Sequence, residues 1–98
     1  MAKAKIGLHP GYEGLFTRDQ ADGALPNGTR IVKANSERGD AHPDGSLGTI
    51  LGSFARPPDL TGRERADWAE IKFCYFVEFD AAPRVAIGTL DKKIRPAP

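Results

Sequence analysis

The stretch Ile71-Lys72-Phe73-Cys74-Tyr75-Phe76-Val77-Glu78-Phe79-Asp80 constrains this chain more than any other. It is the densest apolar run, and four of its ten residues are aromatic. Aromatic and β-branched side chains suit a pleated, half-buried surface, and successive side chains of a strand point to opposite faces. Alternation puts Ile71, Phe73, Tyr75, Val77 and Phe79 on one side, apolar apart from a single hydroxyl. The other side carries Lys72, Cys74, Phe76, Glu78 and Asp80 and is mostly polar. A strand with one dry face and one largely wet face needs other strands to cover the dry one. The run therefore predicts a small β domain, and it carries no chemistry of its own.

Ninety-eight residues make one domain with a modest core, because short chains bury a smaller share of their surface. Of the 21 Leu, Ile, Val and Phe residues, 16 lie between Ile31 and Ile94. That distribution divides the chain into a flexible or loosely packed N-terminal segment, 1–27, and a folded unit, 28–98. A net charge of +1 is far from the strongly basic balance of a general nucleic-acid binder, although a local basic patch remains open. The single cysteine, Cys74, forms no internal disulfide. The opening residues lack the apolar run of a signal peptide, and no stretch approaches the roughly 20 apolar residues of a membrane span. The expectation is a cytoplasmic protein without a membrane partner.

Gly7, Pro10, Gly11, Gly14, Gly23 and Pro26 break up the first 27 residues, and no helical or strand period emerges there. Leu8, Tyr12, Leu15 and Phe16 either pack onto the folded unit or await a partner. Pro26-Asn27-Gly28 marks a turn, followed by a strand over 29–35 in which adjacent Ile31 and Val32 allow a bulge. Residues 36–46 form a polar loop. A second strand covers 47–54, its Gly48 and Gly52 marking bends or close backbone approach. Thr61-Gly62-Arg63-Glu64 has capping-box spacing and predicts a short helical turn in the 60–70 loop. After the aromatic strand come a turn at 80–83, a strand over 84–88, a tight turn at 89–92 and a short last strand over 93–95. Five short, bent strands hiding one apolar face fit an all-β, five-stranded, partly open barrel, which leaves few free edges.

This order of signals resembles the SH3-like small barrels over about Gly28 to Ala97. Within them it is most similar to the C-terminal barrel of nitrile hydratase β subunits. The likeness lies in Gly28-Thr29-Arg30-Ile31, Gly48-Thr49-Ile50, Tyr75-Phe76-Val77-Glu78-Phe79-Asp80 and Ile94-Arg95-Pro96-Ala97. In that family the barrel is an assembly surface, and the metal sits on the other subunit. The resemblance thus implies a fold and an assembly role. The family's helical N-terminal half is missing here, and His42-Pro43 lacks the arginine of its His-x-Arg-x-Pro run. KOW-type translation barrels are a second likeness, through a glycine followed by an apolar β-branched pair. In this chain the loop before Gly48 is longer and more acidic than that pattern.

A metal site needs several ligands brought together, whereas His9, His42 and Cys74 are widely spaced. Cys74 has no histidine near it in sequence to lower its pKa, so an inert thiol is expected. Glu78 and Asp80 share a strand face that solvation explains. There is no Gly-x-Ser-x-Gly elbow and no phosphate loop. The expectation is a non-enzyme with no catalytic residues, no cofactor and no metal.

What remains is binding. A protein partner is expected to meet Phe76, Trp68, His42, Arg56, Arg63 and Arg65, together with the 36–46 loop. Trp and Arg are enriched at such contacts. Trp68 otherwise plugs the barrel's open end, and Phe76 otherwise lies under the N-terminal segment. The alternative partner is RNA or single-stranded DNA, gripped by Arg56, Arg63, Arg65, Lys92, Lys93 and Arg95 with base stacking.

Overall fold

The structure, a computed structural model, describes residues 7–8, 16–57, 60, 62, 66 and 70–98. Its strands are β1 (Gly7–Leu8), β2 (Arg30–Lys33), β3 (Leu47–Ala55), β4 (Phe73–Phe79), β5 (Val85–Leu90) and β6 (Ile94–Pro96). Strands β2 to β6 are antiparallel, run in the order β5-β4-β3-β2-β6, and make one sheet that curls into a partly open barrel. Two residues of β1 lie parallel to β5 at the far edge. The last strand is three residues long and carries Pro96, which blunts the edge it leaves. The tight turn expected before it is a 3₁₀ turn at Asp91–Lys93. Of the 60–70 loop, where a helical turn is expected, Leu60, Gly62, Ala66 and Glu70 are described: Gly62 and Ala66 lie in helix, and Glu70 is a turn residue at φ +66°. No helix among the described residues is long and apolar enough to cross a membrane.

The five expected strands all occur, with ends shifted by up to a few residues. The bulge is elsewhere. Ile31 and Val32 pair regularly with Gly48 and Leu47, and Ile31 is the one turned inward. In β3 the register slips between Ile50, opposite Val77, and Gly52, opposite Phe76. Leu51 is the extra residue, and it bends the longest strand where it must curl around the core. Gly48 faces the same requirement, since a Cβ there would sit 2.8 Å from a Val77 methyl and 3.0 Å from the Glu78 carbonyl oxygen.

The barrel core is Ile31, Ile50, Tyr75, Val77, Phe79 and Ile94, with Ala24, Leu25, Phe73 and Ile87 packed against it. Three of the five residues assigned to the dry face of β4 are therefore in this cluster and Phe73 borders it. The other face departs from the expected wet surface, because Cys74 and Phe76 are buried as well. The cause is the segment before β2. Gly52 and Gly88 flank Phe76 on the neighbouring strands and leave room above its ring. Phe16 fills that room edge-on, with ring centroids 5.1 Å apart. The backbone of Thr17 then crosses so close to Gly52 that a Cβ there would collide with the Thr17 carbonyl.

Residues 16–27 thus act as a strap across the sheet. The Ser53 N–H donates to the Asp19 carbonyl at 2.8 Å. The Ala21 N–H donates to the Ser53 hydroxyl at 3.0 Å, and the Leu25 N–H donates to the buried Tyr75 hydroxyl at 2.9 Å. The one hydroxyl on the dry face of β4 is satisfied by this strap. Fully burying an aromatic ring such as Phe76 stabilises the fold by about 1.5–3 kcal/mol.

Candidate functional site

The most heavily built part of the surface is the loop between β2 and β3. At its neck the Lys33 N–H donates to the Ser46 carbonyl, and the Gly45 N–H donates to the Lys33 carbonyl. Gly45 sits at φ +90°, a conformation that suits glycine. Further out, the Ser36 N–H donates to Asp44 Oδ1 at 2.8 Å. The Ser36 hydroxyl and N–H hold the Asp44 carboxyl below the usual range. Asn35 adopts φ +51° and donates from Nδ2 to the Lys92 carbonyl at 2.7 Å, tying the loop to the 3₁₀ turn.

Asp40 closes the loop onto the barrel. It accepts from Lys33 Nζ at 3.0 Å, from Lys93 Nζ at 2.8 and 3.0 Å, and from the Glu37 N–H at 3.0 Å. Lys33 projects inward from β2 and its side chain is only 4% exposed. Burial alone would push the Asp40 carboxyl up. The hydrogen bonds from Lys93, the Glu37 N–H and Lys33 outweigh it and hold the group well below the usual carboxylate range. His42 follows in the same loop and stacks on Phe79, with ring centroids 4.3 Å apart and planes 25° apart. Between this loop and β5 lies a cleft of about 150 Å³, with Lys33, Asp40, His42, Phe79, Ile87 and Lys93 among its walls.

Among the described residues, the expected contact residues His42, Phe76 and Arg56 do not form one patch. His42 is half-buried at this barrel mouth. Phe76 is fully buried under the strap, on the opposite face of the sheet from Phe79, and offers no surface to a partner in this state. Of its two expected placements, it takes the one beneath the N-terminal segment. Arg56 is exposed just after β3, its N–H donating to the Lys72 carbonyl. Trp68, Arg63 and Arg65 lie outside the described residues. Of the C-terminal basic group, Lys92 and Arg95 are exposed and Lys93 is engaged by Asp40.

The carboxylates on β4 and just beyond it have structural partners. Glu78 accepts from the Arg84 N–H at 2.6 Å, which shapes a turn where Arg84 itself adopts φ +68°. Asp80 pairs through both oxygens with the Arg30 guanidinium. Burial pushes the Cys74 thiol up to about 11, so the nucleophilic thiolate is scarce near neutral pH. Among the described residues no group of three His, Cys, Asp or Glu side chains is placed to hold a metal ion.

Two features escaped sequence reasoning. The Lys33–Asp40–Lys93 cluster joins residues 53 positions apart, and no local spacing announces it. Leu47 is the one exposed large hydrophobic among the described residues, at 44%, directly after the loop. Alternation from inward-facing Gly48 and Ile50 would have pointed it outward. Comparisons with known proteins found no matching family model, no matching curated protein and no matching solved structure.

Proposed function

We propose that this chain is a non-catalytic small-barrel module that binds a protein partner, as an accessory or assembly factor of a larger complex. Its contact surface is the 36–46 loop with His42, the adjoining Leu47 and the barrel mouth beneath. One observation carries the reading: a polar surface loop is clamped by a carboxylate shared between two lysines, one of them buried. Burying charge is a poor way to gain stability, because desolvation offsets much of the attraction. A clamp of this kind does fix the loop's shape before any encounter, which lowers the ordering cost of binding. Binding residues are concentrated on loops held by a rigid scaffold, and Leu47 supplies an apolar contact beside it. The resemblance to nitrile hydratase β-subunit barrels, where the barrel is an assembly surface, supports the same reading.

The test is affinity capture with purified protein, comparing wild type with His42→Ser and Leu47→Asp. The variants should melt close to wild type and lose the captured protein, and nuclease treatment should change nothing. Capture that survives both substitutions overturns the surface assignment. Capture that nuclease abolishes favours the RNA or single-stranded DNA alternative, for which Arg56, Lys92 and Arg95 are exposed among the described residues. Three phosphate contacts would then give a log–log salt slope of about −2.

A further inference from the structure

The geometry points to the barrel-mouth cleft as a receptor for one carboxylate of side-chain size, a glutamate contributed by the partner. This deepens the reading above, and rests on it only for the source of the carboxylate. Hydrogen-bond capacity at the clamp is unequal. Asp40 accepts four hydrogen bonds, about as many as a carboxylate can take. Lys33 Nζ donates to the Ala34 carbonyl, the Ser36 hydroxyl and Asp40, which uses its three N–H groups. Among the described residues Lys93 Nζ donates only to the two oxygens of Asp40, so one N–H is left over. With Glu37 alongside, two ammonium groups face two carboxylates, so the mouth of the cleft offers an unused N–H donor rather than excess charge. The Lys93 side chain lines the cleft and retains 13% exposure.

Glu37 shows the direction of approach. It is 67% exposed and comes to 3.8 Å of Lys93 Nζ, too far for a hydrogen bond. The remaining walls are mostly apolar or aromatic, with Phe79 under His42, Ile87 and Leu90, and Thr89 the one further hydroxyl. They suit the methylenes behind a carboxylate. At about 150 Å³ the cleft is below the roughly 300–1,000 Å³ typical of small-molecule and cofactor pockets, and is suited to a single side chain. A charge-assisted hydrogen bond to the ammonium would fix the ligand's orientation.

The experiment is an NMR titration of the full chain with three probes at matched ionic strength: N-acetyl-glutamate N-methylamide, N-acetyl-glutamine N-methylamide and propionate. The blocked glutamate should shift the amides of His42, Gly88 and Thr89 saturably, and the glutamine analogue should not. Lys93→Met should weaken binding by at least about tenfold, the loss expected for a charged hydrogen bond. Glu37→Gln, which removes the competing carboxylate, should tighten it about two- to fivefold. Equal shifts with the glutamine analogue, or none with either blocked probe or propionate, would overturn the inference without needing any variant. Saturable binding of propionate but not of the blocked glutamate would overturn the assignment to a partner side chain. Whether the chain binds a protein at all is read separately, by the capture assay.

Discussion

Removing Asp40 should unlock the loop and destabilise the whole barrel. In Asp40→Ala, Lys33 Nζ keeps only the Ser36 hydroxyl at 2.8 Å and the Ala34 carbonyl at 3.4 Å, in a site where its side chain is 4% exposed. Breaking a buried ion pair by deleting one partner costs about 3–5 kcal/mol. The lower end applies here, because Asp40 is itself 21% exposed and Lys93 can turn toward Glu37 and solvent. A loss of about 3 kcal/mol is a large fraction of the 5–15 kcal/mol typical of a domain. It should lower the melting temperature by about 12–24 °C at 4–8 °C per kcal/mol. Circular dichroism melts and urea titrations at pH 7 measure it. Lys33→Met in the Asp40→Ala background should restore part of the loss, giving a coupling of about 2 kcal/mol in the double-mutant cycle. The effect has a pH signature. The folded-state pKa of Asp40 is depressed, so its contribution is fully present above the unfolded value near 3.8 and fades as pH falls below it. Wild type should therefore lose stability more steeply than Asp40→Asn below about pH 4. Asp40→Ala within 0.5 kcal/mol of wild type, or no difference in acid sensitivity from Asp40→Asn, would refute the clamp.

Three further outcomes follow from the strap and the buried face of β4. Gly52→Val should expel the backbone at Thr17 and uncover Phe76, which limited proteolysis will report as faster cleavage before residue 25 and a dye such as ANS as new apolar surface. Tyr75→Phe leaves the Leu25 N–H without its acceptor and should cost about 1–3 kcal/mol in urea titrations, on the scale of an unsatisfied buried donor. Cys74 should resist iodoacetamide in the folded protein at pH 8 and react on unfolding, because it is 3% exposed and burial holds its thiol up to about 11.

The all-β class and the strand sequence were legible because they rest on alternation and on turn residues, which are local signals. Ile31 and Ile50 turned inward, and Phe73, Tyr75, Val77 and Phe79 formed or bordered the core, as period two requires. Burial of Phe76 was not legible as a single answer, since it depends on Gly52, Gly88 and Phe16, three residues from three other segments. The strap escaped for the same reason. Its glycines and prolines erase any period, and its anchors are a few scattered hydrogen bonds, among them two at Ser53 and one at Tyr75. At the site, His42 was legible as part of a loop flanked by strands. Lys33 carries no signal in the sequence beyond its place in the 29–35 strand, and its buried ammonium makes sense only beside Asp40.

The central claim is that the 36–46 loop is a fixed part of the barrel before any partner arrives. Native-state hydrogen exchange on the amides of Lys33, Ser36, Glu37, Asp40 and Gly45, each a donor within this loop, tests it most directly. The account predicts that they exchange at least about a hundredfold more slowly than in an unstructured chain, an opening free energy of about 2.7 kcal/mol, and lose that protection in Asp40→Ala. Exchange of these five amides at unstructured rates in the wild-type protein, while Ile50 in the neighbouring ladder stays protected, would contradict it.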